Sequence, residues 1–221
     1  MFTGLVQALG RVRQRETRGG DIRLHITAGD LDMATVSLGD SIAVNGVCLT
    51  AVTLDDTGFA ADVSRESLQR TTLKHLASGS PVNLEKSLTL ATPLGGHLVS
   101  GHVDAIGEVV ERRQDGRSWR FAFRVPDRLA RYIAEKGSVC IDGVSLTVNG
   151  VDGAVFDVNI VPHTMQATVI NDYRAGSEVN IEVDLVARYL ERLIQGDAAA
   201  RPGDGVSREL LGRHGFDKQE Q

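Results

Sequence analysis

Two hexapeptides in this chain place reactive side chains at matching positions. Asn45-Gly46-Val47-Cys48-Leu49-Thr50 sets a thiol and a hydroxyl two residues apart, and Asp142-Gly143-Val144-Ser145-Leu146-Thr147 sets two hydroxyls at the same spacing. Residues two apart share one face of a strand, so Ser145 and Thr147 project together, and their face is expected to line a pocket. Such a pocket could hydrogen-bond a small molecule or move its protons. A cysteine on a strand is by default a small buried apolar residue, but the pairing of Cys48 with Ser145 argues for the pocket. The surroundings of the two stretches differ in charge: Lys136 corresponds to Gly39, and Asp184 to Ser87. A solvated lysine and a helix N-cap are the plainer readings of those two residues.

Other chemistries find no anchor. His97 and His102 lie five residues apart, off one helical face and on alternate faces of a strand, so no metal site is expected. Ser145 and Ser207 lack the GxSxG turn of serine hydrolases. Gly95-Gly96-His97 and the glycines from Gly101 to Gly107 fit neither the dinucleotide nor the phosphate-loop pattern. Cys48 and Cys140 are too few for a disulfide framework and fit a reducing compartment, read as the cytoplasm. A net charge of −5, with basic residues scattered among acidic ones, argues against a nucleic-acid partner. The start has no basic leader and no apolar run reaches spanning length, so a soluble chain, unprocessed at its start and without a membrane partner, is expected.

The elements that position these residues follow from a repeat. Displaced by 97 residues, positions 1–88 overlie 98–185 without a gap and with 24 identities, enough to give each copy the same fold. Gly4, Val6 and Gly10 meet Gly101, Val103 and Gly107; Gly79 to Glu85 meets Gly176 to Glu182. Runs at Ile22 to Thr27, Ser41 to Thr53, Phe59 to Val63, Arg120 to Val125, Ser138 to Asn149, Ala154 to Val161 and Ser177 to Val183 predict strands between Gly- and Asp-rich turns. About six short strands per copy predict an all-β protein of two similar six-stranded antiparallel closed barrels, because closure removes exposed edges. The barrels are expected over 1–97 and 98–185, with Phe2 in the first strand. Short helices are expected at Leu31 to Val36, Glu66 to Leu73, Arg128 to Ala134 and His163 to Ile170. Val186, Tyr189, Leu190, Leu193 and Ile194 form a helical apolar stripe. They predict a C-terminal α-helix over 186–195 that buries its stripe on its own barrels or on a sister subunit. The polar tail, 196–221, is expected to be mobile.

Six segments, taken in order, carry a resemblance: Met1-Phe2-Thr3-Gly4-Leu5-Val6, the first hexapeptide, Gly95-Gly96-His97-Leu98-Val99-Ser100-Gly101-His102-Val103-Asp104, Lys136-Gly137 with the second hexapeptide, Pro162-His163-Thr164, and Asn180-Ile181-Glu182-Val183-Asp184. Over residues 1 to about 195 they resemble the riboflavin synthases of the alpha-chain type. The resemblance implies a transferase that dismutates 6,7-dimethyl-8-ribityllumazine. Two molecules bind per site, and one gives a four-carbon unit to the other, yielding riboflavin and 5-amino-6-(D-ribitylamino)uracil. It further implies a homotrimer gathered by its C-terminal helices, active sites between subunits, no metal or organic cofactor, and association with lumazine synthase. Ala167 departs from the family pattern, which more often has threonine there.

The resemblance also assigns residues. Ser41, Cys48, Thr50, His102 and Asp184 are the catalytic candidates, joined in the second barrel by Lys136, Ser145 and Thr147 as ligand contacts. Further contacts fall at Phe2, Gly4, Leu5, Val6 and Leu49; at Asp62, Val63, Ser64, Arg65, Glu66 and Ser67; at Gly101, Val103 and Leu146; and at Val161, Pro162, His163, Thr164, Met165 and Gln166. Antenna proteins of the same fold, which bind chromophore without converting it, are the rival reading; polar candidates in both copies argue against it. A flavodoxin-reductase-like barrel would need a nicotinamide-binding domain for which the chain has no room.

Overall fold

The structure, a computed structural model, describes residues 1–196. The first half contains β1 (Ala8–Arg18), β2 (Asp21–Thr27), β3 (Ser41–Val44), β4 (Val47–Asp55), β5 (Gly58–Val63), α1 (Arg65–Arg70) and β6 (Pro81–Lys86). The second contains β7 (Ala105–Asp115), β8 (Ser118–Arg124), α2 (Asp127–Ala130), β9 (Ser138–Ile141), β10 (Val144–Asp152), β11 (Val155–Ile160), α3 (Pro162–Ala167) and β12 (Glu178–Val183), followed by α4 (Leu185–Ile194). Single turns of 3-10 helix occupy Met33–Thr35, Thr72–His75 and Val169–Asp172. The tail read as mobile lies, from Asp197 onward, outside the described residues.

Each half closes into a six-stranded antiparallel barrel with the same strand order, β1-β2-β5-β4-β3-β6 in the first and β7-β8-β11-β10-β9-β12 in the second. Residues such as Leu24, Ile26, Ile42, Leu84 and Phe59 fill the first interior; Phe121, Phe123, Phe156, Ile141 and Ile181 fill the second. Ladder irregularities fall between Val12 and Gln14, Ala51 and Thr53, Val109 and Glu111, and Val148 and Gly150, at repeat-equivalent places. Bulges of this kind sharpen the coiling that closure of so few strands demands.

Three expectations are revised. The runs Ser41 to Thr53 and Ser138 to Asn149 are each two strands, because Asn45-Gly46 and Asp142-Gly143 take positive φ at both positions and reverse the chain. The first strands, β1 and β7, carry many charges on their outer faces, which hid their inward Ala8, Val12, Ala105 and Val109. Phe2 does not open strand one. It forms an isolated antiparallel bridge with Val99, while β1 starts at Ala8.

The barrels share one compact body, Met1–Leu185, and their seam follows the repeat as an approximate two-fold axis. The Asn83 amide donates to the Asp142 carbonyl (2.8 Å), and the Asn180 amide to the Asn45 carbonyl (2.9 Å). The Asn180 side-chain oxygen accepts from the Thr72 N–H, and that of Asn83 from the Val169 N–H. Each of these polar groups is buried and satisfied, which favours one docking geometry. One pair breaks the symmetry: Asp142 stands where the first half has Asn45, and its carboxylate accepts a hydrogen bond from the Tyr173 hydroxyl.

Candidate active site

The hexapeptide strands have a buried and an open face. Ser41 pairs with Thr50, and Ala43 with Cys48, across β3 and β4. Ile42, Leu49 and Ala51 are buried in the first barrel, whereas Cys48 is half-buried and Thr50 exposed. The second half repeats this, with Cys140 opposite Ser145 and Ser138 opposite Thr147. The shared face expected for each pair is therefore the outer wall of its barrel, not the lumen, which is filled by aliphatic and aromatic side chains. The pair Ala51 and Ala61 joins β4 to β5 and carries Asp62 and Ser64 onto the side of the wall that holds Thr50.

Each wall is crossed by an arm from the other repeat. Gly101 takes φ +80, and its carbonyl accepts the Cys48 N–H at 2.9 Å. A Cβ there would stand 2.6 Å from the Cys48 Cβ, so only glycine permits this approach. Gly4, at φ +75, repeats the geometry over the second wall, accepting the Ser145 N–H at 2.7 Å. Val103 packs against the first barrel's core and Val6 against the second's. His102 thus lies on the arm over Cys48, and Leu5 on the arm over Ser145. Phe2 is fully buried in a cluster with Ala43, Val99 and Cys140, so it supports the walls from the seam.

The two walls differ in polar equipment. On the second, His97 Nδ1 lies 2.7 Å from the Ser145 hydroxyl, and the His97 backbone N–H donates to the Thr3 carbonyl. His97 is buried, 8% exposed, and among the described residues its Nε2 has no hydrogen-bond partner. Burial holds its pKa below the usual histidine value, against the opposing charge of Asp184. A neutral imidazole bonded to a hydroxyl has the chemistry to take or return that hydroxyl's proton, so His97 backs Ser145 from the buried side. His97 was considered from sequence only as a metal ligand; it lies outside the 88 repeated positions, so no partner drew attention to it, although its motif Gly95-Gly96-His97 is conspicuous. Lys136 takes φ +64, the left-handed conformation that Gly39 adopts in the first half at φ +90. A lysine held there against its backbone preference suggests a side chain needed for function.

The catalytic candidates are thus divided. Ser41, Cys48, Thr50 and His102 gather on the first wall; Asp184 follows β12 in the second half, with Ser145, Thr147, His97 and Lys136. A cleft of about 500 Å³ opens beside Ser41 and is also lined by Ser87, Lys86, Thr35 and Gln7. A larger cleft of about 750 Å³ between Glu108, Arg124 and Glu178 contains none of the candidates, so its size carries no weight.

The remaining contact candidates have local partners. Asp62 forms a two-point ion pair with Arg23, at 2.7 Å for both bonds, which holds its carboxyl below the usual range. Ser64 caps α1 by accepting the Ser67 N–H, the Arg65 N–H donates to Asp21, and Glu66 pairs with Arg70. In the second half Val161 precedes Pro162, the first residue of α3; Met165 is buried, and His163 and Gln166 are exposed.

The fold and its two walls define a duplicated small-ligand-binding protein. Residues 3–87 and 100–184 both match the family described as the lumazine binding domain. The riboflavin synthase of Photobacterium phosphoreum is 47% identical over 98% of this chain and 99% of its own length. That of Schizosaccharomyces pombe is 39% identical over 90% and 96%. The chain belongs to the lumazine-binding family and, within it, to the riboflavin synthases. The solved structure of LumP complexed with riboflavin shares the fold, with a TM-score of 0.77 at 24% identity over 83% of this chain and 99% of that one.

Proposed function

We propose that this chain converts two molecules of 6,7-dimethyl-8-ribityllumazine into riboflavin and 5-amino-6-(D-ribitylamino)uracil, acting as a transferase of a four-carbon unit. The observation that carries this reading is the pairing of two related walls with unlike polar groups, in a chain aligned with riboflavin synthases over nearly its whole length. Like substrates need unlike surroundings to act as donor and acceptor. Holding two flat rings together removes much of the entropy of a bimolecular step, worth about 7–11 kcal/mol. The thiol of Cys48 and the hydroxyls of Ser41 and Thr50 serve one ligand. Ser145, Thr147, Lys136 and Asp184 serve the other, with His97 and Ser145 moving protons to and from its ring. Incubation of the purified protein with the lumazine tests this: riboflavin should accumulate, whereas lumazine held fluorescent and unchanged would favour an antenna protein.

The proposal extends to assembly. Cys48 and Asp184 stand on different halves, so a site shared between the first barrel of one subunit and the second of its neighbour would bring them to one reaction. Val186, Tyr189, Leu190, Leu193 and Ile194 of α4 are 53–84% exposed, an apolar stripe suited to helices from sister subunits in a homotrimer. Among the described residues no helix is long and apolar enough to cross a membrane. We place the enzyme in the cytoplasm, where association with lumazine synthase would deliver substrate.

A further inference from the structure

Two buried glutamates tie the arms to the barrels. Glu182, on β12 of the second barrel and 3% exposed, accepts the Ser100 N–H (2.7 Å) and hydroxyl (2.7 Å) on one oxygen and the Gly101 N–H (2.9 Å) on the other. Glu85, on β6 of the first barrel and equally buried, accepts the Thr3 N–H (2.7 Å), the Thr3 hydroxyl (2.6 Å) and the Gly4 N–H (3.0 Å) in the same way. Each glycine then turns its carbonyl to the wall it covers: Gly101 to the Cys48 N–H and Gly4 to the Ser145 N–H. The peptide between residues 100 and 101 is thereby gripped by the second barrel on its N–H side, while the carbonyl of Gly101 is gripped by the first.

We propose that Glu182 and Glu85 are positioning residues acting crosswise, each barrel holding the arm that completes the pocket of the other. Glu182 sets the height and tilt of Gly101-His102-Val103 over Cys48 and Thr50; Glu85 sets Gly4-Leu5-Val6 over Ser145 and His97. Neither touches a reacting atom. A ligand pressing on one arm is felt, through two or three charge-assisted hydrogen bonds, by the last strand of the opposite barrel. The inference concerns the pockets of the proposed function, but the geometry behind it does not depend on the reaction.

Hydrogen exchange at single-residue resolution, on the full chain in its native assembly, separates this from ordinary seam stabilisation. Glu182→Gln keeps shape but loses one accepting oxygen, so the Cys48 amide should exchange about tenfold faster while the Ser145 amide changes less than about twofold. Glu85→Gln should reverse the pattern. Should either variant fail to fold, Ser100→Ala and Thr3→Val, which each remove one hydroxyl and leave the rest of the side chain's bulk, carry the same crossed expectation at about threefold. Equal acceleration of both amides, acceleration confined to the barrel that carries the altered glutamate, or no change at either would overturn the proposal. Riboflavin formation measured on the same samples reports separately on the assigned reaction.

Discussion

Phe2 and Val99, which hold the same position in the two repeats, hydrogen-bond each other in both directions, at 2.7 Å from the Phe2 N–H and 3.1 Å from the Val99 N–H. A residue can meet its own repeat equivalent only near the axis relating the copies, so this contact marks the centre of the seam. The chain start is therefore a structural member of both halves. Its Phe2 ring is buried, its Thr3 and Gly4 N–H groups are held by Glu85, and its Gly4 carbonyl reaches Ser145.

Removal of residues 1–4 should accordingly abolish turnover. Phe2→Ala should lower unfolding free energy by about 3–5 kcal/mol, the cost of emptying a buried aromatic site. Denaturant titration and riboflavin formation measure the two effects; a truncated chain that is stable and fully active would contradict the arrangement.

Asp142 introduces a pH dependence that its repeat partner Asn45 cannot. Burial raises its carboxyl to about 7, against the opposing hydrogen bonds from Tyr173 and Asn180, and it raises the Tyr173 hydroxyl as well. The raised folded value means that the native state keeps its proton after the unfolded chain has lost it. Stability is therefore fully present below the unfolded value of 3.8 and declines as pH rises to about 7, by something on the order of 4 kcal/mol. Asp142→Asn should flatten that decline and be the more stable protein at pH 8, since an amide can still accept from Asn180 and donate to Tyr173. Unfolding curves at several pH values between 4 and 8 decide the matter; parallel curves for the two proteins would show that the carboxyl has no such role.

At Lys136 the expected trade runs between fold and function. Replacing it with the glycine found at the equivalent position relieves a left-handed side-chain conformation, so Lys136→Gly should raise stability by about 1 kcal/mol while lowering turnover. Calorimetry beside steady-state kinetics is the check. A variant both stabilised and fully active would make the lysine incidental.

Cys48→Ser and Asp184→Ala should depress turnover more than they lower the melting temperature. Substituting His97 by Gln should remove about 10²- to 10⁴-fold in kcat if the ring moves a proton. Because burial keeps the ring neutral below the usual histidine range, wild-type activity should persist at pH values where an exposed histidine would already be charged. A pH profile with an unshifted acid limb would count against His97 as the group that takes the Ser145 proton.

Much of this architecture was legible in the sequence, because hydrophobic alternation and paired turn glycines are local signals that a duplication doubles. The 97-residue displacement located both barrels, and Cys48 with Ser145 located both walls. Beyond the charged strands β1 and β7 and the two hairpins, three features around the site were not legible. Alternation tells which residues share a face but not which face is the lumen, so Cys48 and Thr50 could not be assigned to the outside. Phe2 reads as an ordinary strand residue, and only tertiary structure shows its arm leaving one repeat for the other. His97 lies between the repeats, so the comparison of copies passed over it, and its tie to Ser145 spans 48 residues.

The central claim, that two like ligands meet in unlike pockets and exchange carbon, is tested most directly by stoichiometry. Purified protein supplied with 6,7-dimethyl-8-ribityllumazine should consume two lumazines for each riboflavin formed and release an equal amount of 5-amino-6-(D-ribitylamino)uracil. Lumazine retained without release of the pyrimidine, or riboflavin formed at any other ratio, would contradict it.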